Sequence, residues 1–465
     1  MPANNQNLIH AEPTKDFFIS MLIRDITVNA AIIDLVDNCI DGAIRFRTEE
    51  RNPQQKGAAG RKSTDLKFDG LWIKLDTRDH QFLIQDNCGG ISADLARNYA
   101  FKFGRPPEAE LQSPPHSVGQ FGVGMKRALF KLGSKFTIDS SSAEHEFEVK
   151  IDALKWRDET GEWHFKFGKL DEKPIPPERR GTKIIIEDLH PSVEKYFSTP
   201  ENINKLRLEI GERHQVNIAR GIAIHLNGRE VRAQPAELLS SEEIRPGYQR
   251  KSFRRSGGGT VTVRIWAGLG RAPNEPENKK LAGWYVFCNG RMILRADQSS
   301  TTGWGEGDDT KVPKYHGEYR LFRGYAMFDS DDGNVLPWNT TKTGIDEESW
   351  IYPNVKQQMI ILMKPVITFL NHLKKEADPE RGEGDVAGPL AMAIEKAELS
   401  PVFDVPHSSK FVAPPAPPAP PRGEIIRYRR PKDDIERVKQ ALDAKSNREV
   451  GERTFDHYLN VECAE

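Results

Sequence analysis

The chain has few cysteines, no surplus of charge of one sign and no long apolar run. Its four cysteines form no CxxC pair, which argues against a disulfide scaffold or a zinc site. Lys and Arg number 67 against 68 Asp and Glu, so the net charge of −1 creates no general attraction to nucleic acid or membrane. No stretch reaches the ~18 apolar residues of a membrane span. Residues 1–18 lack the apolar core of a signal peptide. We therefore expect a cytoplasmic protein without membrane contact.

The segment 28–43 is expected to form a helix with one apolar and one polar face. Its apolar residues recur with helical spacing at Val28, Ala31, Ile32, Leu35, Val36, Cys39, Ile40 and Ala43. The polar face holds Asp34, Asp37, Asn38 and Asp41. The amide oxygen of Asn38 suits a hard cation such as Mg²⁺, and the carboxylate of Asp34 can act as a general base toward water. The alternative is a helix whose acids only face solvent.

A second motif, DNCGG at 86–90, is expected to end a strand. The preceding residues, 70–85, have the pattern of a hairpin, with a polar turn near 77–80. Gly89 and Gly90 permit the sharp turn that follows. The carboxylate of Asp86 can accept a hydrogen bond from the exocyclic amine of adenine. An ordinary turn containing an aspartate is the alternative.

A third motif, GQFGVG at 119–124, is expected to open a helix. Glycines before a helix N-terminus let backbone N–H groups approach a phosphate, and the helix dipole favours its charge. Lys126 adds a cation. No GK[ST] follows, so this is not a P-loop. The preceding stretch, 101–118, contains four prolines and is a candidate lid over the phosphates.

A fourth motif, GTKIII at 181–186, is expected to begin a strand. The hydroxyl of Thr182 is expected to form a hydrogen bond with Asp86, or with a water that also contacts adenine. By itself the motif has no specificity. Its value lies in its place as the last of four motifs in a fixed order.

The four motifs together resemble those of the GHKL ATPases, which include the ATPase component of DNA gyrase, heat-shock chaperones, histidine kinases, MutL and MORC proteins. GQFGVG is similar to the chaperone form, and DLVDNCIDGA at 34–43 is similar to the MutL form. The resemblance implies a Bergerat fold, an α/β sandwich in which a mixed sheet carries helices on one face and ATP lies under a lid.

The resemblance also implies residue roles. Asp34 would be the catalytic carboxylate, Asn38 the Mg²⁺ ligand and Asp86 the adenine acceptor. Thr182 would support the base. The remaining nucleotide-binding positions would be Asp41, Gly90, Ile91, Gly119, Gln120, Phe121, Gly122, Val123, Gly124, Met125 and Lys126. Two departures stand out: an aspartate occupies the position of the family's catalytic glutamate, and Cys88 replaces the first glycine of the usual D-x-G-x-G.

A fifth element, LPWNTTKTGID at 336–346, resembles the loop by which the second, "transducer" domain of gyrase and MutL sends a lysine to the γ-phosphate. Lys342 would be that lysine. The strand–turn–strand pattern of 281–294 resembles another part of the same domain. A lysine bound to the γ-phosphate distinguishes ATP from ADP, because its contact is lost on hydrolysis. The alternative for Lys342 is a lysine in a surface loop.

We expect an α+β protein with four parts. Residues 1–235 form the ATP-binding domain, of which 1–15 are an N-terminal arm. Residues 236–375 form a smaller α/β transducer-like domain, 376–422 a charged and Pro-rich linker, and 423–465 a helical tail. Pro365 is expected to kink the last helix of the second domain.

Three functions remain open at this point. The first is an Mg²⁺-dependent ATPase that dimerises on ATP binding and acts on DNA, on foreign DNA in defence, or on a protein partner held by the tail. Basic runs at 249–259 and 427–432 suit phosphate contact. The second is a nucleotide sensor with little hydrolysis. The third is a protein kinase of the same superfamily, disfavoured because His10 is the only histidine before Asp34 and Lys342 has no kinase counterpart.

Overall fold

The computed structural model describes residues 13–51, 66–78, 80–103, 123–159, 163–271, 281–305, 312–339, 341–376, 388–415, 426 and 428–463. The chain divides into two compact units, Met1–Ala416 and Pro417–Glu465. The described part of the larger unit contains an eight-stranded, a five-stranded and a two-stranded sheet, and the two larger sheets each have their own apolar core.

The first sheet has eight strands in the order β5-β4-β3-β6-β2-β1-β7-β8. All neighbours are antiparallel except β1 and β7, which are parallel. The strands are β1 (Trp72–Asp76), β2 (Phe82–Asp86), β3 (Gly133–Ser141), β4 (His145–Asp152), β5 (Phe167–Glu172), β6 (Gly181–Leu189), β7 (Ala223–Leu226) and β8 (Arg229–Glu230). The hairpin expected before Asp86 is present as the β1–β2 pair.

The helices of this region belong to the same core as the sheet. They are α1 (Lys15–Arg24), α2 (Val28–Arg51), α3 (Ala93–Leu95, continued as a π turn over Ala96–Ala100), α4 (Gly124–Leu132), α5 (Ala153–Asp158), α6 (Pro191–Phe197), α7 (Pro200–Arg213) and α8 (Gln215–Ala219). The apolar face of α2 packs beside Leu129 of α4 and beside Ile73 and Ile84 of the sheet. Burial of these alternating strand residues puts the core on one face of the sheet.

The second sheet has five strands in the order β10-β11-β14-β12-β13. The strands are β10 (Gly247–Arg254), β11 (Thr260–Leu269), β12 (Gly283–Cys288), β13 (Arg291–Asp297) and β14 (Phe322–Ser330). One long helix, α9 (Tyr352–Glu376), shares their core. It continues without a break through Pro365, and the kink expected there stays a prediction. The two sheets and their helices confirm the predicted α+β class.

Residues 388–415, which fall inside the predicted linker, pack with the second sheet. They form α10 (Pro389–Glu395) and β15 (Glu398–Pro401), and β15 pairs with β9 (Glu237–Ser240). Val402, Val405 and Phe411 are buried. The physical reason is that this stretch carries enough apolar side chains to enter the core, although prolines and charges surround it.

The smaller unit contains two helices, α11 (Lys432–Leu442) and α12 (Asn447–Glu462). Asp443 has a φ of 48° and ends α11 in a left-handed turn. The guanidinium of Arg453 on α12 donates to the carbonyl of Leu442 at 2.6 Å. The helical tail expected from the sequence is therefore present. Among the described residues, none of the helices combines the length and the apolar composition that crossing a bilayer requires.

Candidate nucleotide site

The acids of α2 lie inside the protein. Asp34, Asp37 and Asp41 are 3%, 0% and 5% exposed. Buried carboxylates are costly unless they are paired or hydrogen-bonded, so a helix that buries three of them is not merely presenting a solvated face. This arrangement contradicts the alternative in which the acids only face solvent.

The turn after β2 is held by its own side chains. Asp86 Oδ1 accepts a hydrogen bond from the Cys88 amide at 2.8 Å, and Asn87 Oδ1 accepts from the Trp72 amide at 2.7 Å. Gly90 has a φ of 71°, and a Cβ there would lie 2.1 Å from the Ser141 carbonyl oxygen. Only glycine fits that conformation and approach. Cys88, at the position of the family's first glycine, is accommodated as a buried residue.

Burial raises the pKa of Asp86 to about 6, although hydrogen bonds from the Cys88 backbone, the Cys39 side chain and the Thr182 backbone oppose that rise. The carboxylate is therefore ionised and able to accept hydrogen bonds at neutral pH. A carboxyl group this easily protonated is typical of a functional pocket.

Thr182 lies directly opposite Asp86 in the β2–β6 pairing. Its hydroxyl is 3.1 Å from the Ser140 hydroxyl, which in turn accepts the Ile91 amide at 2.7 Å. The hydroxyl thus joins a short polar chain through Ser140, while the Thr182 backbone bonds Asp86. Ser140 was absent from the sequence prediction, and its only signal is its place on β3 beside β6.

Residues from the separate motifs meet around one cavity between α2, α4 and the strands β2 and β6. Its wall contains Leu35, Asn38, Cys39, Gly42, Arg45, Ile84, Asp86, Cys88, Gly90, Ile91, Met125, Thr182 and Ile184. Asn38 Nδ2 is buried and has no hydrogen-bond partner among the described residues. The cavity is apolar along the strands and polar at Asp86 and Asn38, which suits a flat heterocycle with a polar edge.

The N-terminus of α4 lies next to Asp34. A Cβ built on Gly124 would be 3.5 Å from Asp34 Oδ2, so the carboxylate lies beside the start of the helix. Val123 precedes the helix as its N-cap residue. The predicted phosphate-loop residues Gly119, Gln120, Phe121 and Gly122 lie outside the described residues.

Lys126 is not exposed at the helix start. Its side chain is buried, and its ammonium group donates to the Ala100 carbonyl at 2.9 Å and lies 5.9 Å from the centre of the Phe103 ring. Burial lowers the pKa of Lys126 to about 7. The structure therefore places this cation against the segment that follows α3, and its predicted contact with phosphate stays a prediction.

Arg127 is a residue that sequence reasoning missed. Its Nη2 donates to Asp34 Oδ2 at 2.5 Å, and both side chains are largely buried. Arg127 lies three residues after Gly124 and so shares its helical turn, which is the signal that links it to the phosphate loop. Its guanidinium is the immediate partner of the proposed catalytic carboxylate.

Lys342 reaches the ATP-binding region from the second sheet domain. Its Nζ donates to Asp37 Oδ2 at 3.0 Å, and the side chain is only 7% exposed. The alternative that Lys342 is a lysine in a surface loop is therefore wrong. It contacts α2 on the residue next to Asn38 and does not line the cavity.

Residues 26–177 match the model of a family described as histidine kinase-, DNA gyrase B-, and HSP90-like ATPase. No curated protein matches the chain. The match begins just before α2 and includes Asp34, Asn38, Asp86 and the 119–124 motif, while Thr182 and Lys342 lie beyond it. The mixed sheet and this match confirm the predicted Bergerat fold, and the match supports ATP binding. Residues 26–177 are therefore identified as a GHKL-type ATPase domain.

Proposed function

We propose that the chain binds ATP with Mg²⁺ and hydrolyses it, with Asp34 as the general base. The observation that carries the proposal is that Asn38 and Asp86 line one cavity with Met125 of α4, and that the start of this helix adjoins Asp34. ATP hydrolysis needs a group for each part of the nucleotide. A carboxylate binds the base, an amide binds the metal, a helix N-terminus binds the phosphates, and a second carboxylate activates the attacking water.

Asp86 would select adenine. Above pH 6 its carboxylate is ionised and can accept the exocyclic amine. Thr182 lies on the neighbouring strand with its hydroxyl 3.1 Å from that of Ser140, and in this proposal it would share a water with the base. A guanine has a carbonyl at the position of that amine, and two acceptors facing each other repel. The cavity is therefore expected to prefer ATP to GTP.

Asn38 fits the requirements of a Mg²⁺ ligand. Its amide lines the cavity, and its buried Nδ2 has no hydrogen-bond partner in the described structure, so no protein contact of that nitrogen fixes the amide in place. Mg²⁺ takes oxygen ligands and keeps several waters. When bound, it would neutralise charge on the phosphates. Asn38 would hold it through Oδ1.

Asp34 lies where a general base would be needed, but its contact with Arg127 limits that role. Its carboxylate adjoins the first residue of α4, where a bound phosphate would be, but Arg127 holds it at 2.5 Å. The guanidinium donates to Oδ2, the carboxylate oxygen nearest Gly124, so that oxygen is already engaged and is less available to accept a proton from water. This ion pair favours a second candidate function, an ATP-binding switch that hydrolyses ATP slowly or not at all.

Phosphate release by the full chain with Mg²⁺ tests both candidates. Asp34→Asn is expected to lower turnover by about 10²–10⁴-fold, the usual contribution of general-base catalysis. Asp139→Asn, on β3 away from the cavity, is the matched control and should keep the wild-type rate. Equal turnover in Asp34→Asn and wild type would rule out the general-base role. ATP binding by the wild type without phosphate release would establish the slow switch instead.

We also propose that Lys342 contacts the γ-phosphate and that ATP binding brings two chains together. The support is that Lys342, from the second sheet domain, is already buried against α2. Sedimentation with a non-hydrolysable ATP analogue is expected to show a dimer that Lys342→Met weakens. A monomer in every nucleotide state would contradict ATP-dependent dimerisation.

DNA is the partner that the exposed charges suit best. Arg250, Lys251, Arg254 and Arg255 are exposed on edge strand β10 and the turn after it. Phosphate contacts of this kind weaken steeply with salt. Duplex DNA is expected to bind at about 50 mM salt and to stimulate phosphate release, and reversing these four charges should remove both effects.

The tail would have a separate role, which is to bind a protein partner through α12, where Phe455, Tyr458 and Leu459 are exposed.

A further inference from the structure

Asp37 is the most enclosed of the acids on α2. It lies between Asp34 and Asn38, and its side chain is 0% exposed. It does not line the nucleotide cavity. The buried charge therefore has a purpose other than direct contact with the base.

Three side chains surround the Asp37 carboxylate. Lys342 Nζ is 3.0 Å from Oδ2, Arg291 Nε is 3.3 Å from Oδ1, and His214 Nε2 is 3.4 Å from Oδ1. Lys342 and Arg291 come from the second sheet domain, and His214 from the junction of α7 and α8. Asp37 is thus the point at which the second domain is attached electrostatically to the helix that holds Asn38.

The cluster carries one more positive charge than negative. Burial lowers the pKa of His214 to about 3, so this imidazole is neutral at pH 7. The carboxylate of Asp37 lies within 3.3 Å of both the Lys342 ammonium and the Arg291 guanidinium. The nearby Arg213 has its own partner, Glu209, at 3.6 Å. Two cations therefore share one carboxylate, and a surplus buried cation attracts an anion.

Hydrogen bonding within the cluster is incomplete. The donation from Lys342 to Asp37 Oδ2 is a hydrogen bond, whereas Asp37 Oδ1 has none among the described residues. Arg291 is 3% exposed, yet its Nε and Nη1 have no hydrogen-bond partner in the described part of the chain. Buried donors without partners are rare and costly. Arg291 therefore has unused donors beside an unused acceptor.

The backbone at Lys342 is held in an unfavourable conformation. Its φ is 54°, in the left-handed region that non-glycine residues seldom adopt. The turn is fixed by the Lys342 amide, which donates to the Asn339 carbonyl at 3.0 Å, and by Asn339 Oδ1, which accepts the Thr343 amide at 3.1 Å. Strain of this kind is typical of segments that change conformation with a ligand.

We propose that Asp37 is the resting partner of Lys342, and that Arg291 is the positioning residue that keeps Asp37 paired when Lys342 leaves for the γ-phosphate. Because Arg291 already lies 3.3 Å from Oδ1, a small rotation would bring its free donors onto that oxygen. Lys342 could then move without abandoning a buried, unpaired carboxylate. This inference rests on the proposed contact of Lys342 with ATP and adds the residue that makes the movement possible.

The alternative is a fixed ionic contact that only joins the two domains. In that case removal of either Asp37 or Arg291 would loosen the junction, and removal of both would be no better than removal of one. In the exchange we propose, removal of Arg291 traps Lys342 on Asp37, and removal of the Asp37 charge releases it. The double variant therefore separates the two explanations.

The experiment measures the affinities of the full chain for a non-hydrolysable ATP analogue and for ADP, and takes their ratio. Lys342→Met should lower the ratio at least about fivefold, the lower end of typical couplings between sites. Arg291→Met should lower it to a similar value, and adding Asp37→Asn to Arg291→Met should restore it. Arg291→Lys, which keeps the charge, should retain most of the ratio. Arg295→Met removes an arginine from the same strand, paired with Glu212 at 2.9 Å, and should leave the ratio unchanged.

Each result has a separate meaning. A ratio that Lys342→Met does not change would refute the γ-phosphate contact, and this inference with it. A ratio lowered by Lys342→Met but not by Arg291→Met would overturn only the role of Arg291. A double variant as poor as Arg291→Met would establish the fixed contact. Should Arg291→Met fail to fold, Arg291→Gln replaces it, and a wild-type ratio in that uncharged variant would refute the proposal.

Discussion

The two longest helices of the described structure, α2 with 24 residues and α9 with 25, both bury apolar side chains but differ in the charged side chains that they bury. α2 buries Asp34, Asp37 and Asp41 beside its apolar residues. α9 buries one charged residue, Lys356, and otherwise Tyr352 and apolar ones: Val355, Met359, Ile360, Leu362, Met363, Val366, Ile367, Phe369 and Leu370. Both helices pack on a sheet. The difference is that α9 only stabilises its domain, while α2 carries charges whose burial costs free energy and which fit the chemistry we propose for ATP.

The largest effect on stability is expected from α9. Met359 is 0% exposed in the core of the second sheet. Met359→Ala should lower the free energy of unfolding by about 2–5 kcal/mol, through lost burial and a residual cavity. Guanidinium unfolding followed by tryptophan fluorescence measures it, because Trp284 and Trp304 lie in the same core.

Met392→Ala, at a methionine that is 43% exposed on α10, is the matched control and should change stability by no more than about 0.5 kcal/mol. A loss at Met359 as small as that of the control would show that α9 is not the structural helix that its burial indicates.

At the candidate site, by contrast, removing a buried charge is expected to raise the free energy of unfolding. The native pKa of Asp86, about 6, exceeds the unfolded value of 3.8, because burial disfavours the charge. Between these values the native state binds more protons, so the contribution of Asp86 is most favourable below about pH 4 and declines as pH rises through 6. Asp86→Asn removes this penalty and should raise the unfolding free energy at about pH 7.5 by on the order of 1–3 kcal/mol, while weakening ATP binding.

Denaturant unfolding from about pH 4 to about pH 7.5 measures this difference, which should grow with pH. Asp76→Asn supplies a control of opposite sign, because its hydrogen bond with Arg78 lowers the pKa of Asp76. That variant should not be stabilised at neutral pH. A variant at Asp86 that is less stable than wild type at neutral pH would mean that its hydrogen bonds outweigh the burial of its charge.

Nucleotide affinity should follow the same titration. A protonated Asp86 no longer offers a full carboxylate to the adenine amine, so the wild-type Kd for ATP should rise about fivefold between about pH 6 and about pH 5. Calorimetric titration measures it. Asp86→Asn lacks the titrating group while the titration of ATP itself is unchanged, so its Kd should vary less over this range. Parallel pH profiles for the two proteins would exclude Asp86 as the pH-sensitive contact.

The smallest effect concerns the thiols. Cys39 on α2, Cys88 and Cys288 are buried and Cys463 is exposed, and burial raises the pKa of each of the three buried thiols. A thiol reagent at neutral pH is expected to label Cys463 rapidly in the native chain and all four cysteines in denaturant. Mass spectrometry gives the count, and Cys463→Ser should abolish the fast reaction. Fast labelling of Cys39 would show that the cavity region opens readily.

Sequence reasoning worked best where the signal was local. The helical periodicity of 28–43, the turn glycines after Asp86 and the order of the four motifs predicted α2, the β1–β2 hairpin and the superfamily. Motif residues from distant parts of the chain, including Asn38, Asp86 and Thr182, lie around one cavity. Their individual roles stay predictions, to be tested by the variants above.

Sequence reasoning failed where contacts are distant or composition misleads. The Arg127 contact with Asp34 joins residues 93 positions apart. The stretch 388–415 has the composition of a linker, yet its β15 pairs with β9 and its Val402, Val405 and Phe411 are buried. The shared helical turn links Arg127 to the phosphate loop but not to Asp34, and no local pattern pairs β15 with β9.

The amino-acid sequence alone determined the superfamily, the α+β class and the helix that presents Asp34 and Asn38, because periodicity and turn glycines act within a few residues. Only the tertiary structure decided what those residues face: Asp34 an arginine of α4, and Asp37 a lysine 305 positions away. The physical reason is that the state of a buried carboxylate depends on the charges packed against it, and packing brings those charges from elements that no local pattern connects.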